Sequence, residues 1–179
     1  MALSKKIVIA IPVIAIVSLV VFFTLVSKDI EIEGSLEKDF NLAPKLEFRL
    51  PNGKTANLHD LRGNAVLLNF WATWCEPCIE EMPSLSVLEK NYRSHGLTVL
   101  AVNIQESPEA ELRDKLEGIR VPQNLIFNVK RSQISQYKLE GIPVTIFINR
   151  EGRPIKTFEG PRDWSSPEMY RQIDELLAR

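Results

Sequence analysis

The amino-acid sequence predicts an α/β domain whose central mixed sheet is flanked by helices and preceded by a short β-hairpin. Two nearly continuous apolar runs, AVLLNFW at 65–71 and LTVLAVNI at 97–104, are typical of strands that are covered on both faces. A helical pattern follows each run, and this order of strand, helix, strand and helix favours a right-handed crossover with parallel pairing. A later alternating segment at 143–160 predicts an antiparallel hairpin, which makes the sheet mixed.

The composition is that of an ordinary globular protein. Of the 179 residues, 45% are hydrophobic and 25% are charged, which supports one domain with a buried core. Lysine plus arginine nearly balances aspartate plus glutamate, and the formal charge of −1 gives no indication of nucleic-acid binding. The chain has two cysteines, too few for a fold that depends on several disulfides.

The first 28 residues predict a transmembrane anchor or an uncleaved signal sequence. Residues 7–26 carry no charge, and about twenty helical residues match a hydrocarbon layer of roughly 30 Å. A cleaved secretory signal would have a shorter apolar stretch and an Ala-x-Ala-like site, which this segment lacks. Two lysines precede the run, so the positive-inside tendency places the rest of the chain outside the cytoplasm. Residues 29–39 then form a linker, and the folded domain spans 40–179.

The first part of this domain contains a hairpin and a helix around the first apolar run. In LEFRLPNGKTANL, two short alternating runs flank Asn52-Gly53, a pair suited to the positive φ of a tight hairpin turn. After the first apolar run, CIEEMPSLSVLEKNYRSHG places its apolar residues at mostly helical spacing, with Gly96 as a C-cap. Pro83 lies inside this pattern and predicts a kink.

The second part alternates helices with strands. PEAELRDKLEG at 108–118 predicts an amphipathic helix, and residues 121–141 predict a short strand and a short helix. The antiparallel hairpin at 143–160 turns at residues 150–152. SPEMYRQIDELLAR predicts a closing helix that begins at Ser166-Pro167.

The two cysteines, Cys75 and Cys78, lie where the first buried strand ends and the first helix begins. Residues three apart on a helix share a face, so the two sulfur atoms can meet. Pro77 suits a first helical turn, which brings Cys75 next to the free amides at the positive end of the helix. A thiolate is favoured there, and the thiolate is the nucleophile in disulfide exchange.

Three interpretations of this pair compete: a structural disulfide, part of a metal site and a redox dithiol. A disulfide between residues i and i+3 closes so short a loop that chain-entropy arguments give only about 2 kcal/mol of stabilisation. A zinc site needs four ligands, and beyond the cysteines the sequence offers only His59 and His95 as further good ones. A redox dithiol needs just the two cysteines at this spacing, and we favour it.

The stretch WATWCEPC resembles the active-site signature of the thioredoxin superfamily, and specifically that of membrane-anchored thiol-disulfide oxidoreductases of the TlpA/ResA type. The resemblance extends in order through residues 51–83, GIPVTIFINREG at 141–152 and GPRDW at 160–164. It implies a thioredoxin-like fold and a cis peptide bond between Ile142 and Pro143, opposite the dithiol. A cis bond is physically reasonable before proline, whose tertiary amide lowers the preference for trans.

The same resemblance implies a role for each residue of the motif. Cys75 would attack a substrate disulfide, and Cys78 would then release the substrate and leave a Cys75–Cys78 disulfide. Glu81 matches the acidic residue of the related CEPCxxE signature and would tune a thiol pKa or transfer a proton, the alternative being a solvated helix carboxylate. The predicted substrate-binding residues are Trp74, Glu76, Pro77, Ile142 and Pro143. The role of GPRDW stays open, with its tryptophan either packed in a loop or forming a contact surface.

In function, the resemblance implies a reductant of protein disulfides that is held in the bacterial cytoplasmic membrane by one span, with its domain on the periplasmic or extracytoplasmic side. It implies disulfide-bearing protein substrates such as apocytochrome c, an integral membrane electron donor of the thiol-transporter type, and no cofactor. GIPVT replaces the GAPET motif of specialised cytochrome-maturation thioredoxins, which weakens that narrower assignment. General or oxidising thiol-disulfide exchange is the alternative within the same chemistry.

Two other function classes, copper chaperones and peroxidases, also use reactive or metal-binding cysteines but have different motifs. A copper chaperone that binds metal through Cys75 and Cys78 is the alternative from a different class, although the Sco type has CxxxC spacing and a distal histidine ligand. A peroxidase of the peroxiredoxin group would carry Thr or Ser three residues before its reactive cysteine. Ala72 holds that position for Cys75, and Cys75 holds it for Cys78, so the sequence excludes a peroxidase of that type.

Overall fold

The structure is a computed structural model that describes residues 18–23 and 41–178. Residues 18–23 are helical. The rest of the predicted anchor and the whole predicted linker lie outside the described residues, so both stay predictions. Within the described part of the chain, no helix combines the length and the apolar character that a bilayer span requires. Leu42–Arg179 form one compact unit, which contains all the elements that follow.

A five-stranded mixed sheet forms the centre of this unit. Its strands are β3 (Ala65–Trp71), β4 (Leu97–Asn103), β5 (Leu125–Ile126), β6 (Val144–Ile148) and β7 (Pro154–Glu159). They lie in the order β5-β4-β3-β6-β7. β3 pairs in parallel with β4 and antiparallel with β6, and β7 pairs antiparallel with β6. The predicted thioredoxin-like α/β fold with a central mixed sheet is confirmed.

The predicted N-terminal hairpin is also present, as a separate antiparallel pair of β1 (Glu47–Arg49) and β2 (Thr55–Asn57). Gly53 has a φ of 83°, and its N–H donates to the Leu50 carbonyl oxygen at 2.8 Å. A glycine adopts this left-handed backbone without a steric penalty. The predicted turn is therefore present at Asn52-Gly53, and of these two residues only Gly53 has a positive φ.

Four α-helices surround the central sheet. They are α1 (Glu76–Tyr92), α2 (Glu109–Asp114), α3 (Arg131–Ile134) and α4 (Pro167–Leu177). α1 includes Pro83, and Gly96 follows its last turns with a φ of 80°. Ser166 caps α4, since its Oγ accepts a hydrogen bond from the Met169 N–H at 3.3 Å. Short 3-10 turns cover Leu58–Leu61, Arg93–His95 and Ser135–Tyr137.

α2 is shorter than the helix predicted over 108–118. After Asp114 the chain continues in turns that are closed by hydrogen bonds between residues i and i+3. The Leu116 N–H donates to the Arg113 carbonyl oxygen, and the Ile119 N–H donates to the Leu116 carbonyl oxygen. Leu112 and Leu116 are buried all the same. Because these turns and an α-helix can both bury apolar residues at this spacing, the periodicity could not distinguish them.

The core lies on both faces of the sheet, as the continuous apolar character of β3 predicts. Val66, Leu68 and Phe70 pack into a cluster on the side of the hairpin. Leu67 packs on the other side, with residues of α1 and α4. This alternation follows the two-residue period of a strand. A third cluster surrounds the cysteines and contains Trp71 together with residues of α1, β4, β5 and the region around α2.

Candidate active site

Cys75 and Cys78 lie at the junction of β3 and α1. Cys75 is the N-cap residue of α1, with a φ of −91° and a ψ of 92°. Its carbonyl oxygen accepts hydrogen bonds from the N–H groups of Cys78 at 3.0 Å and Ile79 at 3.2 Å. Pro77 lies in the first turn, where its missing N–H leaves no helical bond unmade. The partial positive charge of the helix N-terminus therefore lies next to Cys75 and favours its thiolate once the disulfide is reduced.

The two sulfur atoms form a disulfide in this structure, with an S–S distance of 2.03 Å and a Cα–Cα distance of 5.3 Å. Cys75 keeps 6% of its surface exposed, whereas Cys78 is fully buried. Disulfide exchange depends on access to the attacked or attacking sulfur. Cys75 is thus the sulfur that a partner protein can reach first.

The Ile142–Pro143 peptide bond is cis, as the resemblance implies. The Ile142 carbonyl oxygen lies 3.8 Å from the Cys75 Sγ atom, so this segment faces the dithiol. Pro143 is buried and directly precedes β6, and its carbonyl oxygen accepts a hydrogen bond from the Gly160 N–H at 3.0 Å. The half-buried Ile142 therefore forms the part of this segment that a substrate could contact.

Glu81 follows Cys78 by three residues on α1 and is buried, at 3% exposure, and the alternative of a solvated helix carboxylate is therefore wrong. Its Oε1 accepts a hydrogen bond from Asn69 Nδ2 at 2.8 Å. Its Oε2 accepts from Trp164 Nε1 at 3.0 Å and from the Arg162 N–H at 3.2 Å. Burial raises the pKa of this carboxyl group above its usual value, and the hydrogen bonds from Trp164, Asn69 and Arg162 oppose that rise.

The GPRDW segment therefore supplies two of the three hydrogen bonds to Glu81. Trp164 is fully buried, and its backbone N–H donates to Ser84 Oγ on α1 at 3.1 Å. The tryptophan is a packed aromatic that also holds the carboxyl group. The sequence shows no signal that pairs Trp164 with Glu81, because 83 residues separate them.

Asn69 is a further site residue that the sequence analysis missed. It lies in the middle of β3, fully buried, and its Nδ2 also donates to Thr145 Oγ1 of β6 at 2.9 Å. One polar residue inside an otherwise apolar strand was the available signal. A buried amide needs hydrogen-bond partners, so a polar group on a neighbouring element could have been expected.

Three predicted substrate-binding residues lie on the surface next to Cys75. Trp74 is 67% exposed, and Glu76 and Pro77 are exposed as well. Together with Ile142, these residues form a rim around the Cys75 sulfur that is apolar except for the carboxylate of Glu76. The structure thus brings the predicted site residues together at one end of the sheet, and their roles in binding stay predictions.

The two histidines lie apart from this site. His59 Nε2 is 2.8 Å from the Ala43 carbonyl oxygen, and His95 Nδ1 is 3.2 Å from the Asn91 carbonyl oxygen. Both imidazoles are thus engaged with the backbone. Within residues 18–23 and 41–178, no group of three or more His, Cys, Asp or Glu side chains could hold a metal ion.

Known proteins with similar sequences are named thiol-disulfide oxidoreductases. The chain is 35% identical over 132 residues to the thiol-disulfide oxidoreductase ResA of Bacillus subtilis, which covers 73% of each chain. It is 30% identical over 125 residues to ResA of Halalkalibacterium halodurans, with 70% of this chain and 69% of that relative covered.

A solved structure and a family match extend this similarity. The crystal structure of a protein from Chlorobium tepidum, described as a thiol:disulfide interchange protein DsbE, superimposes with a TM-score of 0.68 at 26% identity. The alignment covers 76% of this chain and 96% of that one. Residues 39–154 match the AhpC/TSA family. The chain therefore belongs to the AhpC/TSA family of thioredoxin-like proteins and is a homologue of the ResA thiol-disulfide oxidoreductases.

Proposed function

We propose that this thiol-disulfide oxidoreductase is a membrane-tethered reductant of protein disulfides on the extracytoplasmic side of a bacterial cytoplasmic membrane. The observation that carries the redox chemistry is the Cys75–Cys78 pair at the N-terminus of α1, with Cys75 the more accessible sulfur. Relatives named ResA thiol-disulfide oxidoreductases support the same chemistry. The uncharged residues 7–26 and the two lysines before them support the tether and its orientation.

The reaction begins with the reduced protein. The Cys75 thiolate attacks one sulfur of the substrate disulfide, a mixed disulfide forms, and the other substrate sulfur leaves as a thiolate. Cys78 then loses its proton and attacks Cys75 Sγ, which releases the second substrate sulfur. Two electrons pass to the substrate, whose two thiolates take up protons, and this protein is left with the Cys75–Cys78 disulfide.

Glu81 can serve the second step. It follows Cys78 by three residues and so lies on the same face of α1. Its raised pKa lets the carboxyl group hold or release a proton closer to neutral pH than an exposed glutamate does. When Glu81 is ionised it can accept the proton that Cys78 must lose. Its negative charge also disfavours a persistent thiolate at Cys78, so the attacking form is generated when the mixed disulfide is in place.

Partners follow from this direction of electron flow. A reductant in a compartment that oxidises thiols must be reduced again after each cycle, and an integral membrane thiol transporter is the donor that we propose. The substrates are proteins that carry disulfides. Apocytochrome c, whose cysteines must be reduced before haem is attached, is the first one to test.

The reduction potential of the Cys75–Cys78 couple tests the direction of the reaction. The full chain, purified in a neutral detergent, is equilibrated in thiol redox buffers, and the reduced fraction is read from the mass shift on alkylation. A potential near that of thioredoxin, about −270 mV, supports an electron donor. A potential near about −120 mV makes the protein an oxidant and reverses the mechanism. If the disulfide does not form reversibly, the redox function is wrong, and copper titration then tests the chaperone alternative.

The order of attack has its own test. A Cys78→Ser variant should accumulate a stable mixed disulfide between Cys75 and the substrate, because the resolving sulfur is missing. A Cys75→Ser variant should not, since the remaining sulfur is fully buried. Non-reducing gels of both variants after incubation with oxidised apocytochrome c separate these outcomes. If Cys75→Ser accumulates the mixed disulfide instead, then Cys78 attacks the substrate and Cys75 is the resolving cysteine.

Location is tested separately in intact bacteria. The full chain should sediment with membranes, and a thiol reagent that does not cross the membrane should label Cys75 after mild reduction. A chain that begins at residue 40 should stay in the cytoplasm and escape labelling. If the full chain stays in the soluble fraction, the tether is wrong, whereas the redox function is unaffected.

A further inference from the structure

A groove of about 700 Å³ lies beside Trp74, the residue that precedes the accessible cysteine. We call it the Trp74 groove. It lies between the loop after β4 and the segment from α3 to Leu139, and the lining residues that matter here are Trp74, Ile104, Glu106, Arg131, Ile134 and Lys138. Lys138 and Leu139 lead along the chain to Ile142, whose carbonyl oxygen is 3.8 Å from Cys75 Sγ. One of the lining residues, Trp74, is also the direct chain neighbour of Cys75, whose sulfur attacks the substrate.

Both walls of the Trp74 groove are tied to the rest of the domain. On one side, Gln105 Oε1 accepts hydrogen bonds from the N–H and the hydroxyl group of Thr73, the residue before Trp74. On the other side, the Tyr137 hydroxyl donates to the Pro44 carbonyl oxygen at 2.6 Å, and its ring packs 5.0 Å from the ring of Phe70. These contacts fix the groove relative to Cys75 before any substrate binds, which lowers the entropic cost of binding.

The groove has an apolar floor. Ile104, Ile134 and Leu139 pack against the core and are only partly buried, so each presents some apolar surface. Trp74 adds more, because within residues 41–178 it is the one large apolar side chain that is exposed. An exposed aromatic side chain next to a reactive group is typical of a binding surface.

Positive charge lies along the same groove. Arg131 and Lys138 both line it, and neither forms a salt bridge with another described residue. Lys130, next to Arg131, lines an adjoining depression that shares the loop after β4. Glu106 is the one acidic residue among the groove's lining side chains, so the cations outnumber it.

Lys138 is also held in an unusual backbone conformation. Its φ of 49° and ψ of 47° are left-handed, a region that glycine or asparagine adopts more easily than lysine. A glycine here would relieve the strain but would remove the ammonium group from the groove. A strained residue that places a charge in a binding surface is consistent with a role in recognition.

We propose that the Trp74 groove binds an extended segment of the substrate protein next to its disulfide, with an apolar side chain against Trp74 and an acidic side chain between Arg131 and Lys138. This inference rests on the proposed reductase function and adds a specificity to it. Charge complementarity favours an acidic segment, since the two cations have no intramolecular partner in the described residues. Substrates with basic residues in that position are selected against by repulsion.

The test uses two model peptides that carry the same two-cysteine disulfide loop, flanked on both sides by either Leu-Asp or Leu-Lys. The reduced full chain in neutral detergent is mixed with each peptide, and the second-order rate constant is read by alkylation and mass shift. We expect the acidic peptide to react about fivefold faster, as two exposed ion pairs would give. The preference should shrink as the ionic strength rises from roughly 0.05 M to roughly 0.5 M.

Charge variants assign the preference to the groove. The double variant Arg131→Glu/Lys138→Glu should favour the basic peptide, and Arg131→Gln/Lys138→Gln should lose the preference without reversing it. The matched control Lys90→Glu/Arg171→Glu changes the net charge equally at two exposed residues that lie outside the groove, and it should keep the acidic preference.

A small uncharged substrate, bis(2-hydroxyethyl) disulfide, shows which proposal is wrong if the peptide preference is not observed: peptide binding in the groove or the reductase function. The wild type and the Lys90→Glu/Arg171→Glu control should reduce it at the same rate, because the compound is too small to fill the groove. If the wild type reduces neither peptide nor this compound, the proposed function is wrong. If it reduces the compound but treats the two peptides alike, or if the charge-reversed variant still prefers the acidic peptide, the groove inference alone is overturned.

Discussion

The carboxyl group of Glu81 can be hydrogen-bonded in both of its protonation states. Asn69 Nδ2 donates to Glu81 Oε1 and to Thr145 Oγ1, and the buried Asn69 Oδ1 has no hydrogen-bond partner among the described residues. Rotation of the amide would turn Oδ1 towards a protonated Glu81, and the Thr145 hydroxyl group can donate as well as accept. Asn69 can therefore hydrogen-bond the Glu81 carboxyl group in either protonation state.

The raised pKa of Glu81 has a consequence for stability. Because burial raises the folded-state value above 4.5, the native state binds this proton more tightly than the unfolded chain does. The free energy of unfolding should therefore fall as the pH rises from about 4.5 through the folded pKa. In Glu81→Gln this decrease should disappear. Urea unfolding between pH 4 and pH 8 measures it, with Glu80→Gln, an exposed neighbour, as the control that keeps the wild-type slope. Equal slopes for wild type and Glu81→Gln would contradict the protonation equilibrium.

Lys138 offers a second prediction at the same scale. Lys138→Gly should raise the free energy of unfolding by about 1 kcal/mol, because glycine carries no penalty at a φ of 49°. Lys130→Gly is the control, since that residue has an ordinary φ of −60° and gains nothing from the change. Chemical denaturation compares the three proteins. No gain for Lys138→Gly would mean that the left-handed backbone is not strained, whereas a gain with a smaller acidic preference would link the strain to recognition.

At the scale of single elements, α1 and α4 position the site from two sides. α1 places Cys75 at its cap and Glu81 on its buried face. α4 packs against the same cluster that contains Trp164, through Met169, Ile173 and Leu176. α4 therefore supports the tryptophan that donates a hydrogen bond to Glu81, although α4 lies far from the cysteines in sequence.

The cap of α4 gives a prediction for this element. Ser166→Ala removes the hydroxyl group that accepts from the Met169 N–H, and it should lower the free energy of unfolding by about 1 kcal/mol. The control is Ser132→Ala, because that hydroxyl group donates to no described residue. Thermal and urea unfolding measure both variants. Equal stability of Ser166→Ala and wild type would show that water replaces the cap at no cost.

At the scale of the whole molecule, the net charge does not describe the local charge at the Trp74 groove. The formal charge of −1 did not indicate a charged binding surface, yet Arg131 and Lys138 line the Trp74 groove and neither forms a salt bridge with a described residue. Local fields, rather than net charge, steer a charged partner over a distance of about one Debye length, which is about 8 Å at physiological salt. Composition alone therefore could not predict the substrate preference that we propose.

The predicted domain limits can be tested on the whole molecule as well. A chain of residues 40–179 should unfold in one cooperative transition at the temperature of the full chain, because Leu42–Arg179 form one compact unit with its own core. Circular dichroism and calorimetry measure the transition. The reduction potential of the shortened chain should also match that of the full chain. A lower melting temperature or a broad transition would mean that residues before 40 contribute to the fold.

The amino-acid sequence was enough to predict the features that depend on neighbouring residues along the chain. The buried strands, the Asn52-Gly53 turn, the closing helix and the CxxC pair at a helix start all follow from local spacing and backbone preference. The end of α2 could not be predicted in this way, because an α-helix and turns with i to i+3 hydrogen bonds fit the same apolar spacing. The cis bond at Pro143 was expected from the family resemblance and not from the residues alone.

Folding brings together residues that are distant in sequence, and their shared surroundings could not be predicted. Glu81 could be a solvated or a buried carboxylate on the same helix, and only the packing of Trp164 and Asn69 around it decided between them. The Trp74 groove likewise joins segments separated by more than fifty residues. The physical reason is that pKa values and binding surfaces depend on burial and on charges brought together by folding, which local periodicity does not encode.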